Sequence, residues 1–352
     1  VSPLYRGFSF RNGKVWGSDE VFEAAGLDYQ LPNAYGYNET CGQVGNFMWN
    51  YRMLSITGEP RFAEVMEREM YNGFLGSMGQ EGKGFFYVNP LRWHGHEQVL
   101  LTNAELQRGI PGSPNIGTCC PTNYSRTLVE LQGMIYSKTD HVFWVHHYGA
   151  NRYDDGGIVL EQKTDYPWSG RIEIEITKLP EEHNLKLRIP AWAEEASAEY
   201  NGKKLPGVHP GGYLTIDRRW EEGDQIVLNF PMEARLMTGN PKIEETRNQV
   251  AVMRGPLLYA LEAVDLPENR SVSGVLLPAD IRFEPVYRPG LLKGVTVLKG
   301  TALYMKQPDW DHTLYRELEK PQTEKQDITL IPYYTWANRG VSEMTVWLPV
   351  DY

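Results

Sequence analysis

Arg171-Ile172-Glu173-Ile174-Glu175-Ile176 alternates charged and β-branched residues without a break. Successive side chains of a strand point to opposite faces, so a period of two marks a strand with one face in a core and the other in water. The same alternation runs through His141-Val142-Phe143-Trp144-Val145-His146, Leu185-Lys186-Leu187-Arg188-Ile189 and Gln225-Ile226-Val227-Leu228-Asn229-Phe230. Between these stretches lie turn-forming residues: Asn201-Gly202, Pro210-Gly211-Gly212 and Glu222-Gly223. Many short strands with regular turns predict a β-sandwich over residues 137–240. Residues 241–330 are less regular, with proline- and charge-rich segments between short strands, and are expected to form a second β-sandwich module. From Tyr333 to Trp347 the alternation returns, and residues 331–352 are expected to supply a strand that completes the first sandwich.

Upstream of residue 137 the period is helical. Phe47, Met48, Tyr51 and Leu54 form one apolar stripe that ends at Gly58-Glu59-Pro60; Phe62, Val65, Met66, Met70 and Phe74 form a second. Two helices joined by so short a turn make an antiparallel hairpin. A third helix is expected from Pro121 to Ile135, with Leu128, Leu131 and Ile135 facing inward. Residues 79–118, between them, are rich in Gly, Pro and Asn and read as long loops, which in a compact domain are usually functional. So few helices do not close a helical domain. Residues 1–136 are therefore expected to be part of one, completed by a missing N-terminal segment or by a second chain.

The charge balance narrows the function. A net charge of −10 lacks the Lys/Arg excess that phosphate backbones or anionic membranes require, so neither nucleic acid nor a membrane is an expected partner. Ten Trp and twenty-one Tyr would suit stacking on sugar rings, although core packing accounts for most such residues. The first residues, Val-Ser-Pro-Leu-Tyr, show no signal-peptide pattern.

Three cysteines occur, Cys41, Cys119 and Cys120, all in two short motifs. An odd number with two adjacent is a poor disulfide framework. Free thiols last best in a reducing compartment or on a metal, which favours the cytoplasm without fixing a localisation. Glu39-Thr40-Cys41 together with Cys119-Cys120 offers one carboxylate and three thiols, the ligand types and number of a tetrahedral zinc site. The alternatives are three buried cysteines acting as small hydrophobes, or a redox-active vicinal pair at Cys119-Cys120. His94-Gly95-His96 and His146-His147 are read as loop or strand surface rather than as ligands. Asn38-Glu39-Thr40, Asn123-Tyr124-Ser125 and Asn269-Arg270-Ser271 match the glycosylation sequon, but a glycan on either of the first two would block the proposed site.

Asp28-Tyr29-Gln30-Leu31-Pro32-Asn33, Glu39-Thr40-Cys41, Gly117-Thr118-Cys119-Cys120-Pro121 and Ile331-Pro332-Tyr333-Tyr334-Thr335-Trp336-Ala337-Asn338-Arg339-Gly340 together resemble the β-L-arabinofuranosidases of glycoside hydrolase family 127. The resemblance implies an α+β multidomain chain. In it, residues 1–136 are the C-terminal part of an (α/α)6 catalytic barrel, followed by jelly-roll-like β-sandwich domains. It also implies zinc as cofactor, held by Glu39, Cys41, Cys119 and Cys120, with Cys119 as the catalytic nucleophile. The family's acid/base glutamate, sixteen residues before the zinc-binding glutamate, falls on Glu23, with Glu20 a second carboxylate nearby. Tyr87, in Gly84-Phe85-Phe86-Tyr87-Val88-Asn89, matches a substrate-contacting tyrosine.

The expected activity is retaining hydrolysis that releases terminal β-L-arabinofuranose from a glycan. Retention needs a nucleophile on one face of the anomeric carbon and a proton donor at the leaving oxygen. Metal coordination holds a thiol as its thiolate, which removes the need for a separate base. Two other readings stay open: a glycosidase for another pentose or a rare acidic sugar, and a non-catalytic zinc-stabilised glycan-binding protein.

Overall fold

The structure is a computed structural model. It describes residues 9–10, 28–29, 31–34, 36–82, 84–86, 89–95, 119–181, 183–268, 270–306, 313–340 and 342–352. Few helices and many strands make up this part of the chain, in three successive regions.

Helices α1 (Thr40–Thr57) and α2 (Pro60–Arg68) form the expected hairpin. Gly58 ends α1 in the left-handed region, φ 67°, and returns its N–H to the Leu54 carbonyl at 2.8 Å. Pro60 stands at the start of α2, where its missing N–H costs nothing. A π-helical turn, Glu69–Phe74, continues α2. Helix α3 (Cys119–Glu130) begins two residues earlier than expected and passes into a 3-10 turn, Leu131–Met134. Its inward stripe is Cys120, Tyr124 and Thr127. Leu128, expected inside, is 50% exposed. The helix is turned so that Cys120 faces Cys41 and the Tyr124 ring stacks on Phe74 at 4.3 Å.

The first β-module is the predicted sandwich. One sheet runs in the order Lys203–Lys204, Ser197–Tyr200, Asp224–Asn229, Arg171–Lys178, Val159–Thr164, Asn151–Asp154. The facing sheet runs Gly212–Ile216, Asn184–Ile189, Val142–Val145, Tyr136–Lys138. Ile172, Ile174 and Ile176 meet Leu185, Leu187 and Ile189 in one core. The alternation that marked these segments as strands is thus the alternation between core and surface.

The second module differs from the expectation. Gln249–Arg254 pairs with both Leu257–Glu262 and Leu348–Asp351. From Leu348–Asp351 the pairing runs through Val275–Pro278, Val295–Met305 and Thr323–Pro332 back to Leu257–Glu262, so the hydrogen-bonded path closes on itself. The last strand therefore belongs to this ten-stranded sheet and not to the first sandwich. The residues before it are mostly a 3-10 turn, Tyr333–Thr335, and loop rather than strand. Partners fix the placement: Leu348 lies against Val250, and Leu277 pairs in parallel with Val350.

Both modules dock on the helices. Arg188, fully buried, reaches from the sandwich to Glu64 at 2.6 Å and Glu67 at 2.5 Å on α2. On the other side, the Asn72 amide donates to the Pro256 carbonyl at 2.9 Å and accepts from the Leu258 N–H at 2.7 Å. His146 and His147, expected at the surface, are buried at 3% and 7% exposure. Close contacts at 2.6 Å join the His146 ring nitrogens to Tyr213 and Ser137. Burial, with the Arg188 charge beside it, pushes the His146 pKa down to about 3.

Candidate metal and catalytic site

Two helix starts meet at the site. Cys41 is the second residue of α1, and Cys119 and Cys120 are the first two of α3. Unpaired N–H groups and the helix dipole make both starts favourable for anions, including thiolates. Glu39 holds the cap position of α1, yet its side chain makes no cap hydrogen bond. Instead its Oε1 lies 3.8 Å from Cys119 Sγ and 3.7 Å from Cys120 Sγ.

The sulfur of Cys41 is 3.4 Å from that of Cys120, and Cys119 and Cys120 are 3.9 Å apart at sulfur. One ligand atom from each of Glu39, Cys41, Cys119 and Cys120 lies within 4.8 Å of every other. Sulfurs about 2.3 Å from a zinc at the centre of a tetrahedron are separated by about 3.8 Å. The donor spacing therefore fits such an ion, and three thiols with one carboxylate suit zinc over a hard cation. Burial pushes the Cys41 thiol up to about 11, although the Asn123 amide, donating to its sulfur at 3.2 Å, pulls the other way. Burial also raises Cys120 well above the thiol range. Both shifts disfavour the thiolate, and a bound dication would oppose them.

The three cysteine residues differ in exposure. Cys120 is buried, Cys41 intermediate and Cys119 exposed. Around them, Asn38, Thr40 and Asn89 form a buried polar strip, with 2%, 1% and 0% exposure. Burial leaves no room for a glycan on Asn38. Asn89 and Asn123 carry no signal of a site role in the sequence, because no period or spacing distinguishes an amide that serves a ligand from one in a loop. Glu23, Glu20 and Tyr87 lie outside the described residues.

Fold and cluster define a multidomain chain in which one carboxylate and three thiols, able to hold a metal ion, gather where helices meet, backed by two β-modules. Comparison with known proteins gives the family. Residues 8–133 match the model of the β-L-arabinofuranosidase GH127 catalytic domain, 142–232 the GH127 middle domain and 234–349 the glycoside hydrolase family 127 C-terminal domain. A non-reducing end β-L-arabinofuranosidase of Bifidobacterium longum is 30% identical over 345 residues, covering 94% of this chain and 52% of the relative. A solved GH127 β-L-arabinofuranosidase from Geobacillus stearothermophilus T6 superposes with a TM-score of 0.83 at 33% identity, over 99% of this chain and 54% of its own. A solved glycoside hydrolase gives 0.85 at 34% identity, over 99% and 58%. The chain belongs to glycoside hydrolase family 127. It spans about half the length of the relatives it matches.

Proposed function

We propose that this chain carries the catalytic machinery of a retaining glycosidase that releases terminal β-L-arabinofuranose from a glycan, with Cys119 as nucleophile. The supporting observation is the graded access of a four-donor cluster: within one set of thiols at zinc spacing, Cys119 alone is exposed among the described residues. Glu39, Cys41, Cys119 and Cys120 would hold zinc, which when bound would favour the ionised form of the attacking sulfur, both as nucleophile and as leaving group. Cys119 Sγ attacks the anomeric carbon while Glu23 gives its proton to the departing alcohol, leaving a glycosyl-cysteine. Water, deprotonated by the Glu23 carboxylate, then attacks the same carbon and releases the sulfur, so two inversions give net retention. Tyr87 is assigned to the sugar on the strength of its motif. The helices are assigned to an (α/α)6 barrel on the same resemblance.

Hydrolysis of an aryl β-L-arabinofuranoside before and after chelation is the direct test. Activity should vanish with zinc and return on its addition. Full activity in metal-free protein would contradict the assignment.

A further inference from the structure

Thr40 sits between two proposed ligands, Glu39 and Cys41, and its hydroxyl is fully engaged. It donates to the Phe86 carbonyl at 2.7 Å and accepts from Asn89 Nδ2 at 3.1 Å. Asn89 ties down the residue on the other side of Glu39 as well. Its side-chain amide and its backbone N–H both donate to the Asn38 carbonyl, at 3.1 and 2.9 Å, and its carbonyl accepts from Asn38 Nδ2 at 3.0 Å. Ser77 Oγ, whose single proton also reaches the Gly73 carbonyl at 2.8 Å, lies 3.3 Å from Asn89 Oδ1. Both neighbours of Glu39 are thus bonded to the strip that holds Phe86 and Asn89.

That strip is in turn held by the C-terminal module. The Phe86 ring stacks on Trp336, centroids 4.4 Å apart and planes 5° from parallel, and both residues are buried. Trp336 precedes Ala337, whose left-handed backbone, φ 57°, lets its N–H donate to Glu262 at 2.6 Å. Arg339 locks the same loop by bonding Glu262 at 2.6 Å and Asp265 at 2.5 Å. Glu39 and Cys41 fall in the stretch matched by the family's catalytic domain, and Trp336 in that matched by its C-terminal domain. The contact crosses a domain boundary.

We infer that Thr40 and Asn89 are positioning residues for the metal ligands Glu39 and Cys41, and that the C-terminal module sets their position through Trp336 stacked on Phe86. This rests on the zinc assignment above. Groups behind a ligand fix its orientation, and their loss typically weakens metal binding by about 10–100-fold. Here two ligands share one short segment, so a shift of that segment misplaces both.

The test is zinc affinity in the full chain, by competition with a chromophoric chelator, read beside the melting temperature. Thr40→Val, which keeps the volume but loses the hydroxyl, should bind zinc at least about tenfold more weakly. Thr40→Ser should restore it. Trp336→Leu should weaken zinc similarly, and Trp336→Phe, which keeps a stacking ring, should recover most of the affinity. Ile174→Ala, a cavity in the separate core of the first sandwich, should lower the melting temperature and leave zinc affinity unchanged. Parent-like affinity in Thr40→Val and Trp336→Leu would overturn the inference while the zinc site stood. An equal loss in Ile174→Ala would overturn it as well. A parent chain that binds no zinc would remove the metal assignment itself, and the inference with it.

Discussion

Two of the clusters of acidic groups in the molecule differ in what balances their charge. Around Arg188, carboxylates from α2 meet a guanidinium from the sandwich with 0% of its side chain exposed. Burial works against that charge, yet Glu67 and Glu64 outweigh it and hold the Arg188 pKa well above its ordinary value. In the thiol cluster, the main influences on Cys41 and Cys120 are burial, Asn123 and the cluster's own acids, with no cation among them. One site carries its cation in the sequence. The other has donors that could hold a metal ion. The first is a fixed joint between domains, and the second, on the proposed reading, would be a centre whose state depends on metal supply.

The largest effect that separates the two should come from Arg188→Leu. It leaves Glu64 and Glu67 without their cation in a buried joint, and the expected destabilisation is about 3–5 kcal/mol. Denaturant unfolding should show that loss at every zinc concentration, because zinc acts elsewhere. Rescue by zinc would break the distinction between the two sites.

A smaller effect concerns pH at the same joint. The His146 pKa is lower in the folded chain, about 3, than its ordinary value of 6.5. As pH falls through that window the unfolded chain takes up a proton that the folded chain refuses, so stability declines towards acid and this contribution levels off below about pH 3. Melting temperatures between pH 7 and pH 4 should fall less steeply in His146→Gln than in the parent. Equal slopes would show that other groups govern the acid side.

Much of the fold was legible where a strand has one wet face. Ile172, Ile174 and Ile176 alternate with charges because Glu173 and Glu175 meet solvent. Val250 and Val252 face one core while Ala251 and Met253 face another, so all four are apolar and the period disappears. That is why the C-terminal module read as irregular, and why its last strand was assigned to the wrong sheet. His146-His147 looked like a surface pair because a short sequence does not show the Tyr213 and Ser137 that enclose it. The four proposed ligands were legible because they account for every cysteine in the chain. Thr40 and Asn89 were not, since their role exists only where Asn38, Phe86 and Trp336 come together in space.

The account turns on which atom attacks the sugar. An electrophilic arabinofuranose analogue, followed by proteolysis and peptide mass mapping, reads that atom out by its covalent mark. Because Cys119 is the exposed cysteine of the cluster and Cys120 the buried one, the adduct is expected on Cys119 alone. Pre-treatment with chelator should suppress it. An adduct on Cys120, on Glu39 or on another carboxylate would contradict the assignment, as would labelling of Cys119 that is indifferent to zinc.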